Sequence, residues 1–106
     1  MDSQEDFVLI DLHEPEHYQK EHIPGAINIP LSELERRAPV ELSKNERLVV
    51  YGENHEAEAS NKAATILEAL GYRKVSDFDG GLDAWKRAGF ATEGNEPEIV
   101  GELPLV

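Results

Sequence analysis

The residues with the clearest capacity for chemistry lie between positions 52 and 60. This segment, named the 52–60 loop, consists of Gly52, Glu53, Asn54, His55, Glu56, Ala57, Glu58, Ala59 and Ser60. A histidine beside carboxylates can act as a general base, and a serine hydroxyl becomes a nucleophile when a base takes its proton. A hydrolase built on His55 and the loop acids is therefore one interpretation, which requires His55 to fold back toward Ser60.

The flanking sequence predicts that the 52–60 loop joins a buried strand to a helix. The apolar run Leu48–Tyr51 contains β-branched and aromatic residues and stops at Gly52. Beyond Ser60, apolar residues recur at helical spacing, at Ala63, Ile66, Leu67 and Leu70. In such a unit, backbone N–H groups converge on a ligand at the carboxyl edge of a parallel sheet. The loop is therefore the predicted functional position.

Two properties of the loop favour recognition over catalysis. Ser60 stands where a helix N-cap belongs, so we predict that its hydroxyl accepts a backbone hydrogen bond rather than attacking a substrate. The three loop glutamates are stabilised near a helix N-terminus, where an internal carboxylate would occupy the anion site. Small anionic substrates would then be repelled.

The rest of the chain alternates apolar strands with short helices, which predicts an α/β domain with a mainly parallel sheet of about four to five strands. The predicted strands cover residues 7–12, 26–29, 48–51 and 74–78. The predicted helices start near Pro15, Ser32, Ser60 and Leu82, and Pro39 is expected to end the second.

Composition limits the function further. With 106 residues the chain is predicted to be one domain. It has no cysteine, which excludes disulfides, thiolate metal sites and covalent catalysis on sulfur. The net charge of −12 argues against nucleic acid and anionic membranes as partners. No apolar run is long enough to span a membrane and the start is acidic, so a cytoplasmic location is expected.

Three histidines near the start raise the question of a metal. His13 and His17 are four residues apart, and His22 follows among further acids. Two histidines at this spacing with a carboxylate can bind zinc, but surface histidines beside acids are common without a metal. The sequence therefore predicts neither a metal nor a cofactor.

Several stretches together resemble rhodanese-like domains. They are residues 11–16 and 21–30, the loop-to-helix residues 60–64 with 70–72, and residues 80–89, in the family's own order. The resemblance implies a three-layer α/β/α fold with a reactive loop after the central strand. In active members of that family a cysteine directly follows this strand and carries a persulfide.

Gly52 stands at the place of that cysteine, and Ala57 stands about where a second cysteine can occur. The family's loop arginine has no counterpart between Gly52 and Ser60. The resemblance thus predicts a rhodanese-like domain without sulfurtransferase activity, acting as a binding or regulatory module that contacts a protein partner through the 52–60 loop. The alternatives are the hydrolase above and a sulfurtransferase whose cysteine was replaced. The partner and the oligomeric state are left open.

The resemblance implies a further strand and helix before the first predicted strand. Only seven residues precede Val8 here, so we expect this domain to lack that strand. One sheet edge would then lack a partner. The resemblance also implies a core over 7–94 and a tail over 95–106. The tail carries aliphatic residues, including Ile99 and Val100, which predicts that it packs against the body near that edge. The alternative, a loose terminus, is equally compatible with the sequence.

Overall fold

Residues 6–95 are described by a computed structural model of the protein. The elements are β1 (Val8–Asp11), α1 (Pro15–Lys20), β2 (Ile27–Asn28), α2 (Leu34–Glu41), β3 (Leu48–Tyr51), α3 (Ala59–Ala69), β4 (Val75–Phe78) and α4 (Gly81–Arg87). Short 3-10 turns precede α2 and α3, at Leu31–Glu33 and His55–Ala57. None of the helices over residues 6–95 is long and apolar enough to cross a membrane.

The strands form one parallel sheet in the order β2-β1-β3-β4. The register places Ile10 opposite both Ile27 and Val50, so β1 and β3 are the central strands. Their apolar sequences are continuous because both faces of the sheet are covered. The predicted α/β fold with a mainly parallel sheet is confirmed.

One face of the sheet packs against α2 and α3. Ile10 and Val50 point to this side and are fully buried with Ala38 of α2 and Leu67 of α3. Tyr72 closes the cluster, and its hydroxyl lies 2.8 Å from the carbonyl oxygen of Ala38 and 2.9 Å from that of Leu42. This is the larger of the two apolar cores.

The opposite face packs against α1 and α4. Tyr51 and Leu82 are buried there, with Tyr18 of α1 and Trp85 of α4 partly buried beside them. Because side chains alternate along a strand, neighbouring residues of β3 serve different cores. Val50 enters the first core and Tyr51 the second, which gives the three layers that the resemblance implies.

Three helix boundaries differ from prediction. Ser32 does not cap the second helix, because it lies within a 3-10 turn and α2 begins at Leu34. Ser60 is not an N-cap: α3 begins at Ala59, and Glu58 is the capping residue with a left-handed backbone at φ 60°. Ser60 instead lies in the first turn and is 3% exposed. Pro39 does not end α2, which continues to Glu41, where Leu42 N–H bonds the carbonyl oxygen of Ala38. Burial of Ala38 and Leu42 in the first core compensates for the donor that proline lacks.

Beyond α4 the chain returns to the end of α1. His22 and Glu93 exchange two backbone hydrogen bonds of 2.8 and 2.9 Å as an antiparallel bridge. The predicted packing of the tail through Ile99 and Val100 lies outside the described residues. Within residues 6–95, β4 has a strand partner on one side.

Candidate functional site

The 52–60 loop follows β3 directly, at the carboxyl edge of the sheet. Two backbone bonds fix its start, because Leu82 N–H donates to the Gly52 carbonyl oxygen at 2.9 Å and Asp83 N–H donates to that of Glu53 at 2.8 Å. These donors belong to the first turn of α4, where N–H groups have no partner within the helix. The loop and α4 therefore satisfy each other's polar backbone groups.

The middle of the loop is organised by Asn54. Its side-chain oxygen accepts a hydrogen bond from Ala57 N–H at 3.0 Å and caps the 3-10 turn. Glu58 N–H donates to the His55 carbonyl oxygen at 3.3 Å. Two N–H groups that were expected to face a ligand are thus bonded within the loop. Residues 55–58 are exposed and present the loop's side chains to solvent.

Gly52 is buried and packs closely against the end of the loop. A Cβ atom placed on Gly52 would lie 2.9 Å from Cβ of Ala59. That separation is shorter than a contact between carbon atoms allows. Any side chain at this position, a cysteine included, requires Ala59 to move.

His55 does not face the loop acids. Its imidazole contacts the carboxylate of Asp79, in the turn between β4 and α4, and the side chain is 77% exposed. The hydrogen bond to Asp79 and the negative charge of that carboxylate raise the pKa of His55 above its usual value. Ser60 is buried in α3, so the side chains of the hydrolase interpretation lie in different environments. A shallow groove of about 320 Å³ separates His55 from α4.

The structure also brings together His13, His17 and Glu53, named the histidine–glutamate cluster. Glu53 Oε1 lies 3.2 Å from His13 Nε2 and 3.9 Å from His17 Nε2. The two imidazole rings have centroids 4.0 Å apart. The sequence indicates His13 and His17 as two possible metal ligands. That Glu53 lies beside them depends on the position of the loop in the fold.

A buried hydrogen-bond network holds His13 in place. Asp11 Oδ1 accepts a bond from His13 N–H at 2.8 Å and lies 2.9 Å from His13 Nδ1. Asp11 Oδ2 accepts a 2.6 Å bond from the Tyr51 hydroxyl, which in turn accepts a 3.0 Å bond from Ile23 N–H. Asp11 and Tyr51 are both fully buried. The contact between Asp11 and Tyr51 was not predicted from the sequence, although an aspartate at the end of an apolar strand indicates a buried carboxylate that needs a partner.

The negative charges around His13 counteract the effect of burial on its pKa. Burial lowers the pKa of His13, but the hydrogen bond and charge of Asp11, together with the charge of Glu53, outweigh it and hold the pKa above the usual value. Burial and the negative charge of Asp11 likewise raise the pKa of Tyr51, so its hydroxyl remains a hydrogen-bond donor. The carboxyl edge of the sheet is thus a strongly negative environment.

The observed caps predict unequal effects of two loop substitutions. Asn54→Ala removes the side-chain acceptor for Ala57 N–H and should lower the free energy of unfolding by about 1 kcal/mol. Ser60→Ala removes no cap and should change it by less than about 0.5 kcal/mol, since alanine also favours a helix. Urea unfolding followed by circular dichroism measures both. A larger loss for Ser60→Ala would contradict the helix start at Ala59.

Comparison with known proteins identifies the family. The profile of the rhodanese-like domain matches residues 1–88. The chain belongs to the rhodanese-like domain family. Thiosulfate sulfurtransferase PspE of Escherichia coli is 43% identical over 72 residues, covering 67% of each chain. Putative sulfur carrier protein YrkF of Bacillus subtilis is 36% identical over 85 residues, which are 80% of this chain and 44% of that protein. The rhodanese-like chain thus spans less than half of this second relative.

Solved rhodanese-like structures agree with the fold. The Rhodanese_3 like domain of the Alr3790 protein from Anabaena superposes with a TM-score of 0.76 at 35% identity, covering 83% of this chain and 99% of that one. The BH2092 protein of Bacillus halodurans gives a TM-score of 0.81 at 29% identity, with coverage of 88% and 67%. The resemblance inferred from sequence motifs is confirmed at the level of family and fold.

Proposed function

We propose that this rhodanese-like domain has no sulfurtransferase activity and serves as a binding or regulatory module that recognises a protein through its 52–60 loop. The observation that carries the proposal is Gly52, buried at the end of β3 in a chain of 106 residues without a cysteine. A persulfide needs a thiolate to carry it, and no other side chain can take that role.

The surroundings of Gly52 support the same conclusion. Ala59 fills the space that a side chain at position 52 would need. Glu53, Glu56 and Glu58 add negative charge to the loop. An anionic sulfur donor such as thiosulfate would approach against this charge. Both the space and the electrostatics therefore disfavour the chemistry of the sulfurtransferase relative.

Recognition of a protein is consistent with what the loop exposes. His55, Glu56 and Glu58 face solvent beside the groove along α4. The loop backbone is held by α4 and by the Asn54 cap, so this surface is organised before a partner arrives. A preorganised surface loses less conformational entropy on binding.

The purified protein is expected to form thiocyanate from thiosulfate and cyanide no faster than a buffer blank. Gly52→Cys should restore little turnover, because the new side chain displaces Ala59 and the loop acids still repel the donor. The double variant Gly52→Cys with Ala59→Gly removes the contact between residues 52 and 59. Higher turnover in this variant than in Gly52→Cys would identify that contact as the obstacle, and unchanged turnover would identify the charge of the loop acids. Turnover by the unmodified protein that co-purifies with it would overturn the proposed inactivity. Robust turnover of Gly52→Cys alone would instead indicate a sulfurtransferase loop that has lost only its cysteine.

Recognition is tested by comparing two variants of equal charge. Glu56→Gln with Glu58→Gln changes the loop, and Glu35→Gln with Glu68→Gln changes exposed positions on α2 and α3. Proteins captured by the unmodified domain and by the α2–α3 variant, but lost from the loop variant, are the expected partners. Equal capture by both variants would place recognition elsewhere on the domain.

A further inference from the structure

We propose that His13, His17 and Glu53 form a binding site for a single divalent transition metal ion, with Zn²⁺ as the preferred ion. Two imidazole nitrogens and one carboxylate oxygen are a ligand set that zinc accepts in proteins. Each of the three residues can offer one ligand atom, and these atoms all lie within 4.8 Å of one another. The site differs from the protein-recognition role proposed for the loop.

The separations between the ligand atoms suit a small cation. Zinc bonds of about 2.0–2.2 Å to nitrogen and oxygen in tetrahedral geometry place neighbouring ligand atoms about 3.3–3.6 Å apart. Glu53 Oε1 lies 3.2 Å from His13 Nε2, close to this range, and 3.9 Å from His17 Nε2, slightly above it. The His17 side chain is half-exposed, so its rotamer is free to adjust when an ion binds.

The cluster contains buried polar atoms with no partner of their own. Among the described residues, His13 Nδ1 is inaccessible to solvent and makes no hydrogen bond, although it lies beside Asp11 Oδ1. His13 Nε2 and Glu53 Oε1 are in the same condition and lie side by side. Buried polar atoms in this condition cost free energy unless something satisfies them. A cation between the two atoms and His17 satisfies both.

His13 is oriented as a metal ligand. Its Nδ1 lies 2.9 Å from Asp11 Oδ1, which leaves Nε2 directed to Glu53. Asp11 is itself fixed by the Tyr51 hydroxyl at 2.6 Å. A carboxylate beside the far nitrogen of a ligating histidine sets the tautomer and strengthens the ligand. This support is buried and preformed, so the ion meets an ordered first ligand.

The other two ligand side chains are partly exposed, although Glu53 Oε1 itself is covered, and the exposed part of His17 provides a path of entry. The side chains of His17 and Glu53 are 51% and 43% exposed. Three protein ligands leave a fourth position, which water fills in zinc sites of this composition. Because Glu53 begins the 52–60 loop and His17 lies on α1, the ion would tie the loop to that helix.

The competing explanation is an ion pair between a protonated His13 and Glu53, without a metal. Such a pair includes His17 only through the longer 3.9 Å separation between its Nε2 and Glu53 Oε1, although its ring lies against that of His13. Zinc binding and the ion pair make different predictions for His17, because only a metal site requires its imidazole nitrogen.

The experiment uses tag-free protein stripped with a chelator and titrated with Zn²⁺ alone by isothermal calorimetry. We expect one ion per chain and a zinc-dependent rise in melting temperature. His17→Ala and Glu53→Gln should each weaken the affinity by about tenfold or more. His55→Ala, which removes an exposed imidazole outside the cluster, should bind zinc as the unmodified protein does. Circular dichroism of each variant establishes that it is folded.

Three results would overturn the proposal. The first is the absence of stoichiometric zinc binding by the folded, unmodified protein. The second is an equal loss of affinity in His17→Ala and His55→Ala, which would assign the zinc to scattered surface groups. In NMR spectra, zinc should shift the Nε2 signals of His13 and His17 and leave those of His22 and His55 unchanged, and the reverse pattern would also contradict the site.

Discussion

Tyr51→Phe is expected to lower the free energy of unfolding by about 3 kcal/mol, a large share of the stability of a small domain. The substitution keeps the ring and removes a hydroxyl that donates to Asp11 Oδ2 and accepts from Ile23 N–H. Both partners are buried and lose their bond together. A buried carboxylate that loses a hydrogen-bond donor costs more than a neutral group does.

Tyr72→Phe is the matched control for this prediction. Tyr72 is also buried and also loses one hydroxyl, but its partners are the neutral carbonyl oxygens of Ala38 and Leu42. Tyr72→Phe should lower the free energy of unfolding by about 1 kcal/mol. Urea unfolding of both variants measures the difference, with unchanged m-values as a check on the two-state assumption. Equal losses would mean that the Asp11 network adds nothing special to stability.

Gly81→Ala is expected to destabilise the domain by about 3 kcal/mol or more, for two reasons that act together. Gly81 has φ +64°, a left-handed conformation that disfavours a side chain. Its added Cβ would also lie 2.4 Å from the Gly52 carbonyl oxygen and 2.9 Å from that of Glu53. The methyl group would therefore push the start of the 52–60 loop away from α4.

Gly89→Ala separates the two causes. Gly89 has φ +93°, but nothing lies within 4 Å of an added Cβ. It should therefore show the backbone strain alone, about 1 kcal/mol. Thermal melting and urea unfolding of the two variants provide the comparison. If Gly81→Ala is as stable as Gly89→Ala, the 52–60 loop can move away from α4 without lowering the free energy of unfolding.

Much of the fold could be predicted from patterns along the chain. The run Leu48–Tyr51 is apolar without alternation because β3 is covered on both faces, and that property depends on local sequence alone. The position of the loop after this strand follows for the same reason. Pro15 at the start of α1 and the glycine after α3 are likewise local signals that the structure confirms.

The wrong predictions concern positions where the backbone conformation cannot be predicted from the type of side chain. Ser60 is a common capping residue, but the 3-10 turn at His55–Ala57 and the left-handed Glu58 start α3 one residue earlier. Ser60 consequently lies within the first turn of α3, where it is buried. Pro39 was expected to stop α2, and the burial of Ala38 and Leu42 prevails over that local preference.

The candidate sites could be predicted only in part. The loop follows β3 as predicted, but its acids are not equivalent: Glu53 turns toward His13 and His17, whereas Glu56 and Glu58 face solvent. Tyr51 and Asp11 are 40 residues apart in sequence and meet through the register of β1 with β3. Contacts of this range depend on strand order, which residue patterns do not specify.

The two hydrogen bonds from Leu82 and Asp83 to the loop carbonyls bear on how this surface changes during evolution. Both bonds join main-chain atoms, so the place of the loop start does not depend on which side chain position 53 carries. Mutation at that position alters what the sheet edge offers to ions or proteins while the backbone stays where it is. The main-chain atoms of residue 53 therefore hold the loop in place, whereas its side-chain atoms determine the chemistry of the surface.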